Sequence, residues 1–172
     1  MPQPVLTVED LIAWNEHTHS QWRKLLEAHP EALQIPCDIT GTKNVAELMQ
    51  HIVAPELRYA QQLAGQPITD YKDIPYDSIG AIYATHEHAI ALFRELLASD
   101  TINWDEQYEF QTRTFGPARS TRKTVLFHAL LHSIRHYAQL TTLLRQNGIS
   151  QKLPQDYLVM NLEIVNKPPV AG

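Results

Sequence analysis

Apolar positions recur with helical spacing in four long stretches of the chain, and strand-like alternation is scarce. The first stretch predicts a helix from about Thr7 to His29, where Thr7 and Asp10 have the spacing of a capping box and Pro30 stops the helix. The second predicts a helix from about Val45 to Ala64, capped by Asn44 with Glu47 and ended by Gly65 and Pro67. A turn-rich loop, GQPITDYKDIPYD, precedes the third, from Asp77 or Ser78 to Ser99. The fourth runs from about Thr121 to Asn147, with Gly148 at the position after its cap. Between the third and fourth, TINWDEQYEFQTRTFGPARS alternates partially around Tyr108, Phe110 and Thr112, which suits a short extended piece or hairpin arm; it is read as a structured loop. Tyr157, Leu158 and Leu162 give the tail apolar groups with which to pack, and the end from about residue 165, within VNKPPVAG, reads as disordered. No repeat or shift of composition marks a second domain, so the expectation is an all-α chain, residues 1–172 as a single four-helix bundle.

Composition narrows the function. At 172 residues and 44% hydrophobic, the chain can bury a core without disulfides or a structural metal. A net charge of -5 offers no footprint for nucleic acid and no polybasic membrane anchor. Cys37 stands alone, which excludes a disulfide framework and a cysteine zinc site and suits a reducing cytosol. MPQPVLTVEDLIAW lacks the basic stretch and apolar run of a signal peptide, and nothing approaches the roughly 20 apolar residues of a membrane span. The anomaly is nine histidines, about twice an average share for this length.

Three of them lie on the fourth helix at His128, His132 and His136, two overlapping i, i+4 pairs where chance predicts roughly 0.4 such pairs in the chain. At about 100° per residue, His132 and His136 share a face with Val125, Ala129, Leu140 and Leu143, whereas His128 falls beside the polar stripe of Arg135, Gln139, Thr142 and Gln146. Such spacing stacks two imidazoles close enough to share one ion, so His132 and His136 are the better metal pair. A third ligand has to come from another helix. His51, at the edge of the apolar arc of the second helix, is the best candidate, and Pro55 removes the backbone bond back to His51 and bends the helix there.

Glu56 falls inside that arc and needs a partner: either it orients a ligand, or it pairs with a buried arginine. His86 sits at the centre of the third helix's apolar arc, as a hydrogen-bonded core residue or a neighbour of the site. Asn15 and His19 lie within or beside the arc of the first helix, where they line a polar pocket or satisfy buried groups. His17, His29, His88 and His128 read as surface or boundary residues.

Other chemistries lack their motifs. Glu16 and His19 make half of a di-iron signature with no second half, and there is no H-E-x-x-H, G-x-S-x-G or phosphate loop. Arg113, Arg119, Arg122 and Lys123 form a basic cluster that either binds a substrate carboxylate or phosphate or is a solvated patch.

HALLHSIRHYAQLTTLLRQNGI, together with AELMQHIVAPELRYAQQLAG about 80 residues upstream, resembles the DinB/YfiT-like superfamily of metal-binding four-helix bundles. The resemblance covers most of residues 7–160; Tyr137 and Ala138 depart from the Arg and Gly that many members carry after the last histidine. It implies one divalent ion, zinc or nickel, on His51, His132 and His136, with positions open for water or substrate. His86, His19, Asn15 and Glu56 are then candidates to line the pocket or orient the ligands. It also implies a cytoplasmic protein, a homodimer, and a small-molecule substrate with a cellular thiol as co-substrate. Characterised relatives include thiol S-transferases and a thiol-dependent isomerase, so the expectation is a metal-dependent enzyme, a thiol transferase or a hydrolase. The competing expectation is a non-catalytic, stress- or damage-inducible protein that binds metal or ligand, and no residue is assigned a catalytic proton transfer.

Overall fold

A computed structural model describes residues 5–150 and 153–163; the segment expected to be disordered, about 165–172, lies outside them. Four long helices form where the periodicity predicts them: α1 (Val8–Ala28), α2 (Val45–Leu63), α3 (Ile79–Leu97) and α4 (Arg122–Gln146). Their ends follow local chemistry. The Thr7 hydroxyl accepts from the Asp10 amide while the Asp10 carboxylate accepts from the Thr7 amide, closing the capping box of α1. Asn44 caps α2, Ser78 caps α3 and Thr121 caps α4 in the same way, each accepting from the amide three residues on. α4 stops because Gly148 takes a left-handed backbone, φ 81°, letting the Ile149 amide reach back to the Leu144 carbonyl at 2.9 Å.

The all-α expectation is corrected between α3 and α4. Here β1 (Gln107–Thr112) pairs antiparallel with β2 (Gly116–Thr121), with Phe110 opposite Ala118 and Tyr108 opposite Ser120. Tyr108, Phe110 and Thr112 alternate as a half-buried face requires. The partner strand, GPARST, has Ala118 as its one apolar residue on that face and begins with Gly116 and Pro117, so it carries no hydrophobic alternation to announce it. Gln62, near the end of α2, holds the hairpin down. Its side chain accepts from the Gln111 amide at 2.7 Å and donates to the Gln111 carbonyl at 3.2 Å, and its own carbonyl accepts from the Tyr108 hydroxyl at 2.6 Å. Gln62→Ala is expected to cost about 1–2 kcal/mol and to speed amide exchange across residues 107–121 while leaving the four helices protected, as hydrogen-exchange measurements on wild type and variant would register.

Each helix packs against two others, α1 on α3 and α4, α2 on α3 and α4. The apolar interior divides into two blocks. One gathers Trp22, Leu26, Leu48, Met49, Ile52, Ile82, Tyr137 and Leu140; the other gathers Leu11, Leu57, Ala60, Phe93, Leu126 and Leu130. Between the blocks, along every helix, sits a buried polar residue: Asn15 and His19 on α1, Glu56 on α2, His86 on α3 and Ser133 on α4. Beyond α4, the tail returns onto the helices, where the Trp14 indole donates to the Gln155 carbonyl at 2.9 Å and the Gln155 side chain donates to the Thr141 hydroxyl at 2.6 Å. Tyr157 packs edge-on against Trp14, while Leu158 and Leu162 stay exposed. Among the described residues no helix is long and apolar enough to cross a membrane.

Candidate metal centre

The i, i+4 spacing on α4 does what the helical wheel requires: His132 and His136 project together and are both buried. Their Nε2 atoms lie 3.2 Å apart. Two nitrogens bound to one tetrahedral ion at about 2.0–2.1 Å stand about 3.3 Å from each other, so the pair already has a chelating separation. α2 brings the third ring, half-buried His51, to 5.0 Å from His132 and 4.8 Å from His136 between ring centroids. One nitrogen from each of the three lies within 4.8 Å of the others.

All three imidazoles are neutral at neutral pH. Burial pushes His51 down to about 4, helped by His136 and by the charges of Arg113 and Arg135. Burial pushes His132 down to about 3, with the neighbouring histidines and Arg135 adding to it. His136 is lowered mainly by burial, against a hydrogen bond to Gln139 that acts in the opposite direction. That bond also sets the tautomer. The Gln139 Oε1 lies 2.7 Å from Nδ1 of His136, so Nδ1 carries the proton and Nε2 keeps its lone pair, which accepts from the Arg135 guanidinium at 3.0 Å. His132 has no such anchor, since its buried Nδ1 has no hydrogen-bond partner among the described residues. Three neutral nitrogen donors without a carboxylate or thiolate suit zinc, nickel, copper or iron by ligand type.

The site opens into a cleft of about 770 Å³ roofed by the hairpin, with His51, His132, Pro55, Tyr59 and Phe110 in its walls. α2 continues through Pro55 without interruption. His128 lies at the exposed rim, as its polar stripe predicts.

Asn15, His19, Glu56 and His86 do not line this cleft; the structure brings them together elsewhere, in the polar belt between the two apolar blocks. The Glu56 carboxylate accepts from Asn15 Nδ2 at 3.0 Å, from His19 Nε2 at 3.1 Å and from His86 Nδ1 at 2.8 Å. The Tyr137 hydroxyl donates to Nδ1 of His19 at 3.0 Å, which fixes the proton of His19 on the side facing Glu56. The rings of His19 and His86 stack with centroids 3.6 Å apart, too close for two imidazolium charges. Burial pushes His19 down to about 4, against the attraction of Glu56. Burial alone would raise Glu56, but the two imidazoles outweigh it and hold the carboxyl below its ordinary range. The arginine partner considered for Glu56 is therefore corrected: two imidazoles and an amide donate hydrogen bonds to it in place of a guanidinium. His19, Glu56 and His86 also stand close enough to hold an ion. Both Glu56 oxygens and both His19 nitrogens are engaged within the belt, and all three residues are buried away from the cleft, so the belt is a clamp that ties α1, α2 and α3 together and, through Asn15 to Ser133 at 2.9 Å, α4.

Gln139, Arg135, Arg58 and Tyr59 carry geometry at the site or cleft that sequence reasoning did not single out. Gln139 had a readable signal, because a Gln three residues after a histidine on a helix can reach its ring. Of the basic cluster, Arg119 pairs with Glu109, Arg122 with Glu106 and Lys123 with Asp105, whereas Arg113 turns into the cleft. The profile of one protein family, described as the DinB family, matches residues 1–165. No curated protein matches the chain.

Proposed function

The chain belongs to the DinB family, and from that membership we propose that it binds one divalent metal ion, zinc or nickel, through His51, His132 and His136 and works as a metal-dependent transferase of low-molecular-weight thiols to small electrophiles. The observation that carries the reading is the convergence of three neutral imidazole nitrogens beside a cleft large enough for a small organic substrate. A divalent ion held there supplies a thiolate at neutral pH by lowering the pKa of a thiol that binds to it. The chain's own part is to hold the ion, with Gln139 keeping the proton of His136 off the ligating nitrogen, and to seat the two substrates against Tyr59 and Phe110. Cys37, buried among apolar residues, takes no part.

The test is conjugation of a chromogenic electrophile by a panel of cellular thiols, with and without metal. Turnover that disappears with a chelator and returns on adding back zinc or nickel supports the reading. Stoichiometric metal with no turnover across the panel selects the second reading, a non-catalytic binding protein, which the lack of a carboxylate among the described residues of the cleft walls favours. Gln139→Ala provides a finer check. Because Gln139 is exposed, the variant is expected to keep its melting temperature without metal but to bind zinc about 10–100-fold more weakly in a competition with a chromophoric chelator.

A further inference from the structure

We infer that the cleft beside the histidine trio receives a small organic anion, whose carboxylate or phosphate group is bound by Arg58, Arg113 and Arg135. This rests on the proposed function only for the identity of the cleft as the substrate site.

Among the described residues, the walls of the cleft carry three arginines and three histidines and no Asp or Glu. That is an inversion of the whole chain, in which 19 acidic residues outnumber 14 basic ones. Pairing sharpens the contrast. Arg23, Arg94, Arg119 and Arg122 each meet a carboxylate, while Arg58, Arg113 and Arg135 meet none among the described residues, a state shared outside the cleft by Arg145 at the end of α4. Neutral partners hold two of them, Arg58 donating to the Thr69 carbonyl and Arg113 lying over the Tyr71 ring at 4.1 Å, while Arg135 donates to Nε2 of His136, a contact that an ion on that nitrogen would release. A guanidinium has five N–H donors in a rigid fork, so these contacts fix the groups in place and leave donors over for an oxyanion.

The three residues come from different elements, α2, the turn of the hairpin and α4, and meet at one cavity. A merely solvated positive patch has no reason to do this, and the adjacent Arg119, Arg122 and Lys123 show the alternative, each paired with an acidic residue and outside the cleft walls. Tyr59, Phe110 and Phe115 give the cleft apolar walls beside the arginines, so the ligand that fits has an organic body as well as an acidic group. An anion seated there would also offset the repulsion between the guanidinium groups and a divalent cation, so anion and metal should strengthen each other's binding.

Calorimetric titration at low ionic strength tests this, using succinate, phenyl phosphate and the neutral analogue succinamide against wild-type protein, as purified and after loading with zinc. Arg113→Gln and Arg58→Gln serve as variants, with metal content measured on every sample and melting curves confirming that each variant folds. Binding of either acid but not of succinamide, weakened at least about tenfold in each variant, supports the inference, and the stronger of the two acids identifies the group as carboxylate or phosphate. Failure of both acids to bind, equal binding of succinamide, or unchanged affinity in both variants overturns it. Full metal content with no anion binding removes this inference and leaves the metal assignment standing; arginine-dependent anion binding in a protein that takes up no metal does the reverse.

Discussion

Glu56→Ala is expected to lower the free energy of unfolding by about 3–5 kcal/mol, the cost of removing one partner from a buried, hydrogen-bonded charge cluster. His19 and His86 would lose the acceptor they share, and Asn15 would keep only the Leu130 carbonyl and the Ser133 hydroxyl. A domain of this size is ordinarily stable by about 5–15 kcal/mol, so the variant should sit near the threshold of folding. Urea unfolding with an unchanged slope checks it, and Glu56→Gln, which keeps the shape and one acceptor oxygen, should fall between the two. A loss under about 1 kcal/mol would mean that the belt is not what joins the two apolar blocks.

The same cluster makes the fold sensitive to acid, and the sign follows from the direction of each shift. His19 titrates at about 4 in the folded chain against 6.5 for an ordinary histidine, so its contribution is complete above pH 6.5 and is lost as pH falls from 6.5 through about 4. That interval corresponds to about 3 kcal/mol. Glu56 is likewise held below its ordinary 4.5, so its contribution begins to fade as pH falls below that value. Stability measured by urea unfolding should therefore decline steadily below pH 6.5 and more steeply below 4.5.

The second large effect concerns the metal. His132→Ala removes one of three nitrogens and half of the pair that stands 3.2 Å apart, and two histidines make a poor site. Zinc affinity is expected to fall by well over 100-fold, beyond the 10–100-fold typical of losing a group that only orients a ligand. Competition with a chelator gives the number directly. His128→Ala is the control, since His128 neighbours His132 but lies exposed outside the trio; an equal loss there would assign the metal to the wrong pair.

How far the sequence could be read depended on whether the physics was local. Helix ends were legible because capping residues declare them: Thr7 with Asp10, Asn44, and Gly148 each sit within two residues of a helix terminus in the structure. The pairing of His132 with His136, and their separation from His128, was legible because a wheel fixes directions on one helix. What lay beyond was tertiary. A wheel shows that Glu56, His19 and His86 all point inward but not that they point at one another, and so the belt could not be told from residues lining the cleft. β2 escaped because its neighbours, not its own GPARST, keep it extended. Arg58 and Arg135 look like ordinary charges on helix surfaces until the fold brings both to the wall of one cleft.

The central claim, an ion held by His51, His132 and His136, meets its most direct measurement in the metal content of protein purified without a histidine tag or nickel column, with the triple alanine variant beside it. The account predicts close to one zinc or nickel ion per chain in the wild type, either as isolated or after titration, and none in the variant. A wild-type protein that holds no ion and takes none up, or a triple variant that binds as much as wild type, would contradict it.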